Sequence, residues 1–259
     1  MRLWGTVAVL AAALTLVPAP ATADVLAYKV YVANSGGDVN GDPVEADIAI
    51  FSARPDGGLV PFGDPVPTGA GAQSLEFSPN GRFAYLVAVD ENLVYAYTRT
   101  DDGGLLPLAR EQVGGLAPFG LAVAPDGKAL YTANIDDATV SAFRIGGNGV
   151  PTLVSTTSTG RTDARNVIVS RDGRFLIVSH GRPFNPGPDA LVVFPILPGG
   201  ALGEPLPPVL AGGSGSGMAI TPNGRFLYVA CASTNDVFGF RIGHDGVLTP
   251  VPRGSFPAP

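Results

Sequence analysis

The chain has 259 residues, including 35 glycines and 25 prolines, with 16 basic against 22 acidic side chains and a formal net charge of −6. An acidic chain without a basic cluster argues against nucleic acid as a partner. A single cysteine, Cys231, excludes an intramolecular disulfide.

Residues 1–23 stand apart from the rest. Arg2 precedes an apolar run from Leu3 to Val17, and Ala21-Thr22-Ala23 has the small-x-small form of a cleavage site. This is the pattern of a secretory signal peptide removed before Asp24. The run is short for the ~20 residues of a membrane span. The expectation is therefore a secreted, extracytoplasmic protein with no membrane span after cleavage. Its mature part, residues 24–259, is long enough for one large all-β domain.

The rest of the chain is organised by a repeat. A turn of the form Pro/Arg-Asn/Asp-Gly-Arg/Lys occurs at Pro79–Arg82, Pro125–Lys128, Arg171–Arg174 and Pro222–Arg225, at intervals of 46, 46 and 51 residues. A second series keeps step with it: Asp56-Gly57, Asp102-Gly103, Asn148-Gly149, Gly199-Gly200 and Asp245-Gly246. Asn-Gly and Asp-Gly supply the positive φ that tight hairpins need. Two turn series locked in phase mean one supersecondary unit copied along the chain, and several strands per repeat of roughly 40–50 residues predict a β-propeller.

In chain order, blade 1 runs from about residue 25 to 66, and blades 2, 3 and 4 end near 113, 160 and 210. Blade 5 takes the remainder. Each unit reads as four strands, a to d. In blade 2 these are Ser74–Phe77, Phe83–Val87, Leu93–Tyr97 and Leu105–Leu108. They are apolar on both faces, as strands sandwiched between neighbouring sheets should be. Blade 1 begins at strand b, Lys29–Asn34, so its inner strand a is missing and 19 strands are expected in all. Without that strand the ring is expected to close poorly, leaving open blade edges through which the chain could self-associate.

Tyr31-Val32-Ala33-Asn34, Ser78-Pro79-Asn80-Gly81-Arg82-Phe83, Leu227-Tyr228-Val229-Ala230 and Asp245-Gly246-Val247-Leu248-Thr249-Pro250-Val251 resemble the repeats of the seven-bladed lactonase propellers. That family includes the 6-phosphogluconolactonase-like proteins, and its hairpin signals are shared with YVTN-type surface propellers. The resemblance covers nearly all of residues 25–256. It implies hydrolysis or binding of a small sugar lactone or carbohydrate. The alternative it leaves open is a non-catalytic extracellular propeller used as a binding scaffold. It also implies that about two blades and a closing strand are absent, so that the chain is a truncated product, a fragment or a five-bladed ring.

Propeller geometry directs attention to the openings of strand a and the ends of strand b. Lactone hydrolysis needs a cation to polarise the carbonyl and a base to activate water. Blade 4 gathers Arg165, His180 and Arg182 at that rim, and these are the catalytic candidates together with Glu76, a carboxylate in a strand a column otherwise held by Ala122, Ile168 and Ala219. Related lactonases open a strand with an Arg-His pair; here Asn166 follows Arg165. Asn166, Gln73 and Asn134 are the substrate-binding candidates. Asp38, Asn40 and Asp42 have the alternate spacing of a calcium loop, but Pro43 stands where an EF-hand needs glycine. No other metal or cofactor motif is present, so calcium at Asp38, Asn40 and Asp42 is the one alternative to a chain without a cofactor.

Overall fold

In a computed structural model, which describes residues 28–39, 42–182 and 189–257, the repeated turns take one form. Ser78 Oγ donates to Asn80 Oδ1 (2.7 Å) and accepts from the Phe83 amide (3.0 Å), while Asn80 Oδ1 also accepts from the Arg82 amide (3.0 Å). Gly81, at φ 67°, completes the turn. Ser170 with Asp172 and Thr221 with Asn223 repeat these bonds. Each turn therefore satisfies its own backbone locally and joins two strands at a fixed register.

Those strands form five four-stranded sheets of antiparallel pairs and one small hairpin, with no helix among the described residues. The first sheet contains β1 (Tyr28–Asn34); the hairpin β2 (Gly37–Val39) and β3 (Asp42–Val44) follows; β4 (Asp47–Ala53), β5 (Leu59–Pro61) and β6 (Val66–Pro67) complete the sheet. The second sheet is β7 (Ala72–Phe77), β8 (Phe83–Ala88), β9 (Leu93–Arg99) and β10 (Leu105–Gln112). The third is β11 (Pro118–Val123), β12 (Ala129–Asn134), β13 (Thr139–Ile145) and β14 (Pro151–Ser158). The fourth is β15 (Ala164–Val169), β16 (Phe175–His180), β17 (Ala190–Pro195) and β18 (Val209–Leu210). The fifth is β19 (Gly215–Ile220), β20 (Phe226–Cys231), β21 (Asp236–Ile242) and β22 (Leu248–Pro257).

Strand order within the last four sheets follows chain order, as in propeller blades. In the first sheet β5 and β6 both pair with β4, so they share the outer position and β1 stands at the other edge. The inner strand of this blade is absent among the described residues. The 22 strands exceed the expected 19 because of the hairpin β2–β3 and because the outer strand of the first blade is broken around Gly63-Asp64-Pro65. Proline has no N–H to offer a ladder.

The described chain separates into two compact units, with the boundary after Gln112. In the first unit a core forms around Tyr31, Ile48, Leu75, Leu86 and Tyr97, joining the first two blades. In the second unit one core, with Tyr131, Leu176 and Phe194, joins blades 3 and 4, and another, with Ile177, Leu227 and Phe240, joins blades 4 and 5. The middle strands β8, β12 and β16 are buried at every residue, whereas β20 alternates between buried and exposed or half-buried positions. Cys231 ends β20 as a buried free thiol, its pKa pushed up to about 11 by burial.

Candidate functional site

The openings of the inner strands share an irregularity. In β11 the pairing register shifts between Pro118 and Gly120, in β15 between Ala164 and Asn166, and in β19 between Gly215 and Gly217. The residues left over are Phe119, Arg165 and Ser216. Each is the extra residue of a β-bulge, a device that re-aims a side chain. The residue before each strand has positive φ: Ala117 (54°), Asp163 (57°) and Ser214 (56°). The carbonyls of all three accept an amide from just beyond the neighbouring strand b, those of Ile135, Gly181 and Ala232. The bulge is thus built into the repeat, and the residue placed on it differs from blade to blade.

Arg165 is the charged member of the set. It is half-buried, with its guanidinium carbon 5.0 Å from the centre of the Phe119 ring. Its Nε is buried without a hydrogen-bond partner, and no carboxylate pairs with it among the described residues. Burial pulls its pKa below the ordinary arginine value. Next to it, the Asn166 amide makes two bonds: Nδ2 donates to the Ser216 carbonyl (2.8 Å) and Oδ1 accepts from the Val167 amide (2.9 Å). Asn166 therefore ties β15 to β19.

Two expectations for this rim are corrected. His180 is not a rim side chain; it is only 2% exposed. Its Nδ1 lies 2.9 Å from the Ala190 carbonyl oxygen, so Nδ1 carries the proton and Nε2 is the base nitrogen, buried without a partner. Burial, aided by Arg161, lowers its pKa against the opposing pull of the Ala190 bond, Asp189 and Asp163. Arg182 is not a free cation either. Its Nε donates to Asp163 and its Nη2 to Asp136 at 2.6 Å, and both bonds raise its pKa. It works as a clamp between the turn after β12 and the bend before β15.

Asn134 is fully buried, and its amide bonds Thr132, Thr139 and Ser141 inside the third blade. In the first unit, Gln73 is half-buried near the opening of β7. Glu76, on the same strand, keeps water on its exposed side, yet the crowding of protein around it raises the carboxyl to about 7. Asn40 lies outside the described residues, as do the side chains of Asp38 and Asp42. Among the described residues no cluster of three His, Cys, Asp or Glu could hold a metal ion.

Sequence reasoning missed Asp136 and Asp163, which engage Arg182, and Phe119, which faces Arg165. The signal for Asp163 was an acid in a column otherwise holding Gly71, Ala117 and Ser214.

Residues 47–185 match the family described as lactonase, 7-bladed β-propeller. The chain belongs to this lactonase family. Comparison with curated proteins finds no match. Among solved structures, a candidate 6-phosphogluconolactonase from Bacteroides uniformis is 20% identical, with a TM-score of 0.72 over 89% of this chain and 68% of that one. A second such candidate, from Bacteroides fragilis, gives 20% and 0.72 over 89% and 78%. The periplasmic gluconolactonase of Pseudomonas aeruginosa gives 22% and 0.68 over 89% and 67%. At these identities the likeness is one of fold. Lactonase-family blades thus account for the five sheets, which are fewer than seven.

Proposed function

We propose that this lactonase-family propeller acts on a small sugar lactone outside the cytoplasm, with Arg165 as the group that binds and polarises the lactone carbonyl. The observation that carries this reading is a guanidinium on a β-bulge at the opening of an inner strand, partly desolvated and with no carboxylate partner among the described residues. A partly dry cation of this kind interacts more strongly with a developing oxyanion than one in bulk water. In the reaction, water attacks the carbonyl carbon, the oxyanion forms against Arg165, and the ring C–O bond breaks. The ring oxygen departs as a hydroxyl after gaining a proton.

One group in the same unit as Arg165 offers a proton acceptor. His180 presents an unprotonated Nε2 but is closed off from solvent. The export reading rests on the n-region, apolar run and cleavage pattern of residues 1–23.

Acid release from a panel of sugar lactones, with and without a 6-phosphate, tests the reading. Arg165→Ala should lower kcat by roughly 10²–10³-fold, the range for loss of an oxyanion donor. A wild type without hydrolysis above background, or an Arg165→Ala variant at full rate, would reject it. The second reading is a binding propeller. The burial of His180 and the pairing of Arg182 favour it, because they withdraw two of the four catalytic candidates from a substrate. A lactone that binds wild type, is not hydrolysed and is lost from Arg165→Ala would decide for that reading.

A further inference from the structure

At the other end of β15 lies a cleft of about 460 Å³ that plays no part in the lactone reading. It is formed by the turn after β15, the turn between β19 and β20, and the end of β21. Its ionisable lining is Arg171, Arg225, Arg241, His244 and Asp172. Three guanidiniums at one cleft are unexpected on a chain whose formal net charge is −6.

They are also held in place. The guanidinium carbons of Arg225 and Arg241 lie 5.9 and 5.7 Å from the centre of the same Phe226 ring, within cation–π range. Arg171 Nη2 donates to the Ile220 carbonyl (3.1 Å). Among the described residues none of the three forms an ion pair. The one acid of the lining is occupied elsewhere. Asp172 Oδ1 accepts from the Ser170 hydroxyl and the Arg174 amide, and Oδ2 faces the Arg174 guanidinium at 3.9 Å. Asp245, beside His244, turns Oδ1 to the Val247 amide.

We propose that this cleft binds a compact phosphate-bearing small molecule through Arg171, Arg225 and Arg241. Like charges gathered without counter-charges repel one another, and a polyanion relieves that repulsion while accepting several N–H donors at once. The volume falls within the usual range for small-ligand sites, roughly 300–1,000 Å³. The site is separate from Arg165, which opens β15, whereas the cleft begins beyond the end of that strand.

Titration calorimetry with pyrophosphate and with glucose 6-phosphate, using glucose as the neutral control, tests the proposal. Saturable binding of the phosphates is expected at low ionic strength, weakening as salt is added. Arg225→Gln and Arg241→Gln should each lower affinity about tenfold, as expected for loss of one charge-assisted bond. Arg171→Gln provides a third, independently placed variant, since all three side chains are exposed. Arg165→Ala should leave phosphate binding unchanged, which separates this site from the lactone site. No saturable phosphate binding, equal binding of glucose, or full affinity in all three glutamine variants would overturn the proposal. So would binding to anionic lipid vesicles with none to the free phosphates.

Discussion

The hydroxyl of Tyr31 donates to the carbonyl of Gly103, 2.7 Å away and 72 residues further along the chain. Tyr31 lies in β1, the edge strand of the first blade, and Gly103 is in the outer hairpin of the second. The same latch recurs between Tyr131 of the third blade and Gly200 of the fourth, at 2.9 Å. Both glycines have positive φ, 95° and 90°, so their carbonyls turn towards the preceding blade. A Cβ on Gly103 would come within 2.7 Å of the Lys29 side chain. The repeat thus specifies how one blade grips the next, as well as how each blade folds.

Replacing either tyrosine by phenylalanine should therefore loosen an inter-blade contact. The lost bond leaves a buried carbonyl unpaired, which costs about 1–3 kcal/mol. Tyr228 occupies the same position in β20 but is 38% exposed. Tyr228→Phe should be close to neutral. Denaturant midpoints of the three variants check this, and equal shifts for all three would contradict the latch.

The turn hydroxyls allow a parallel comparison. Ser78, Ser170 and Thr221 each bond the Asn or Asp two residues on, whereas the third blade has Ala124 there. In that blade only the bond from the Lys128 amide to Asp126 remains (2.9 Å). Ser170→Ala should cost about 1 kcal/mol, and Ala124→Ser should gain a similar amount, within the usual net worth of a hydrogen bond. Thermal unfolding of the two variants would show opposite shifts. Shifts of the same sign would mean that the hydroxyl is not the decisive group.

The Arg182 clamp predicts an ordering. Asp136 is half exposed, so Asp136→Asn should cost only about 0–1 kcal/mol, and less at high salt. Asp163 is more enclosed, so its replacement should cost more and respond less to salt. Asparagine is the variant to use there because it removes the charge while keeping the side chain's shape, and it adopts the φ of 57° at this position readily. Urea titrations in low and high salt separate the two cases. A larger, salt-sensitive loss at Asp136 would reverse the assignment.

The blade plan could be read from the chain because it depends on local chemistry. Asn-Gly and Asp-Gly turns with a preceding hydroxyl impose the same bonds wherever they occur, so their spacing marks the sheets. The rim could not be read in the same way. Arg165, His180 and Arg182 are close in sequence and of suitable types, but their roles depend on what surrounds them. A bulge leaves Arg165 unpaired, a backbone carbonyl from Ala190 takes His180, and two acids, Asp136 and Asp163, take Arg182. Those acids lie 46 and 19 residues from the arginine, beyond the reach of any local pattern. Glu76 was legible as an odd residue in its column, and its raised pKa follows from that column running through crowded surroundings.

Glu76 gives a dependence on pH, muted by the solvent on its exposed side. Its carboxyl is raised from an ordinary 4.5 to about 7, and the cause is desolvation of the charged form. Between those values the folded chain holds a proton that the unfolded chain has released, so stability falls as pH rises through this window. Below pH 4.5 the contribution is fully present; above about 7 it is gone. Glu76→Gln stays neutral throughout and should flatten that part of the stability profile, gaining on wild type as pH approaches 8. Unfolding free energies of wild type and Glu76→Gln measured from pH 5 to 8 test this. A flat stability profile in wild type, or parallel profiles for the two proteins, would remove the raised pKa.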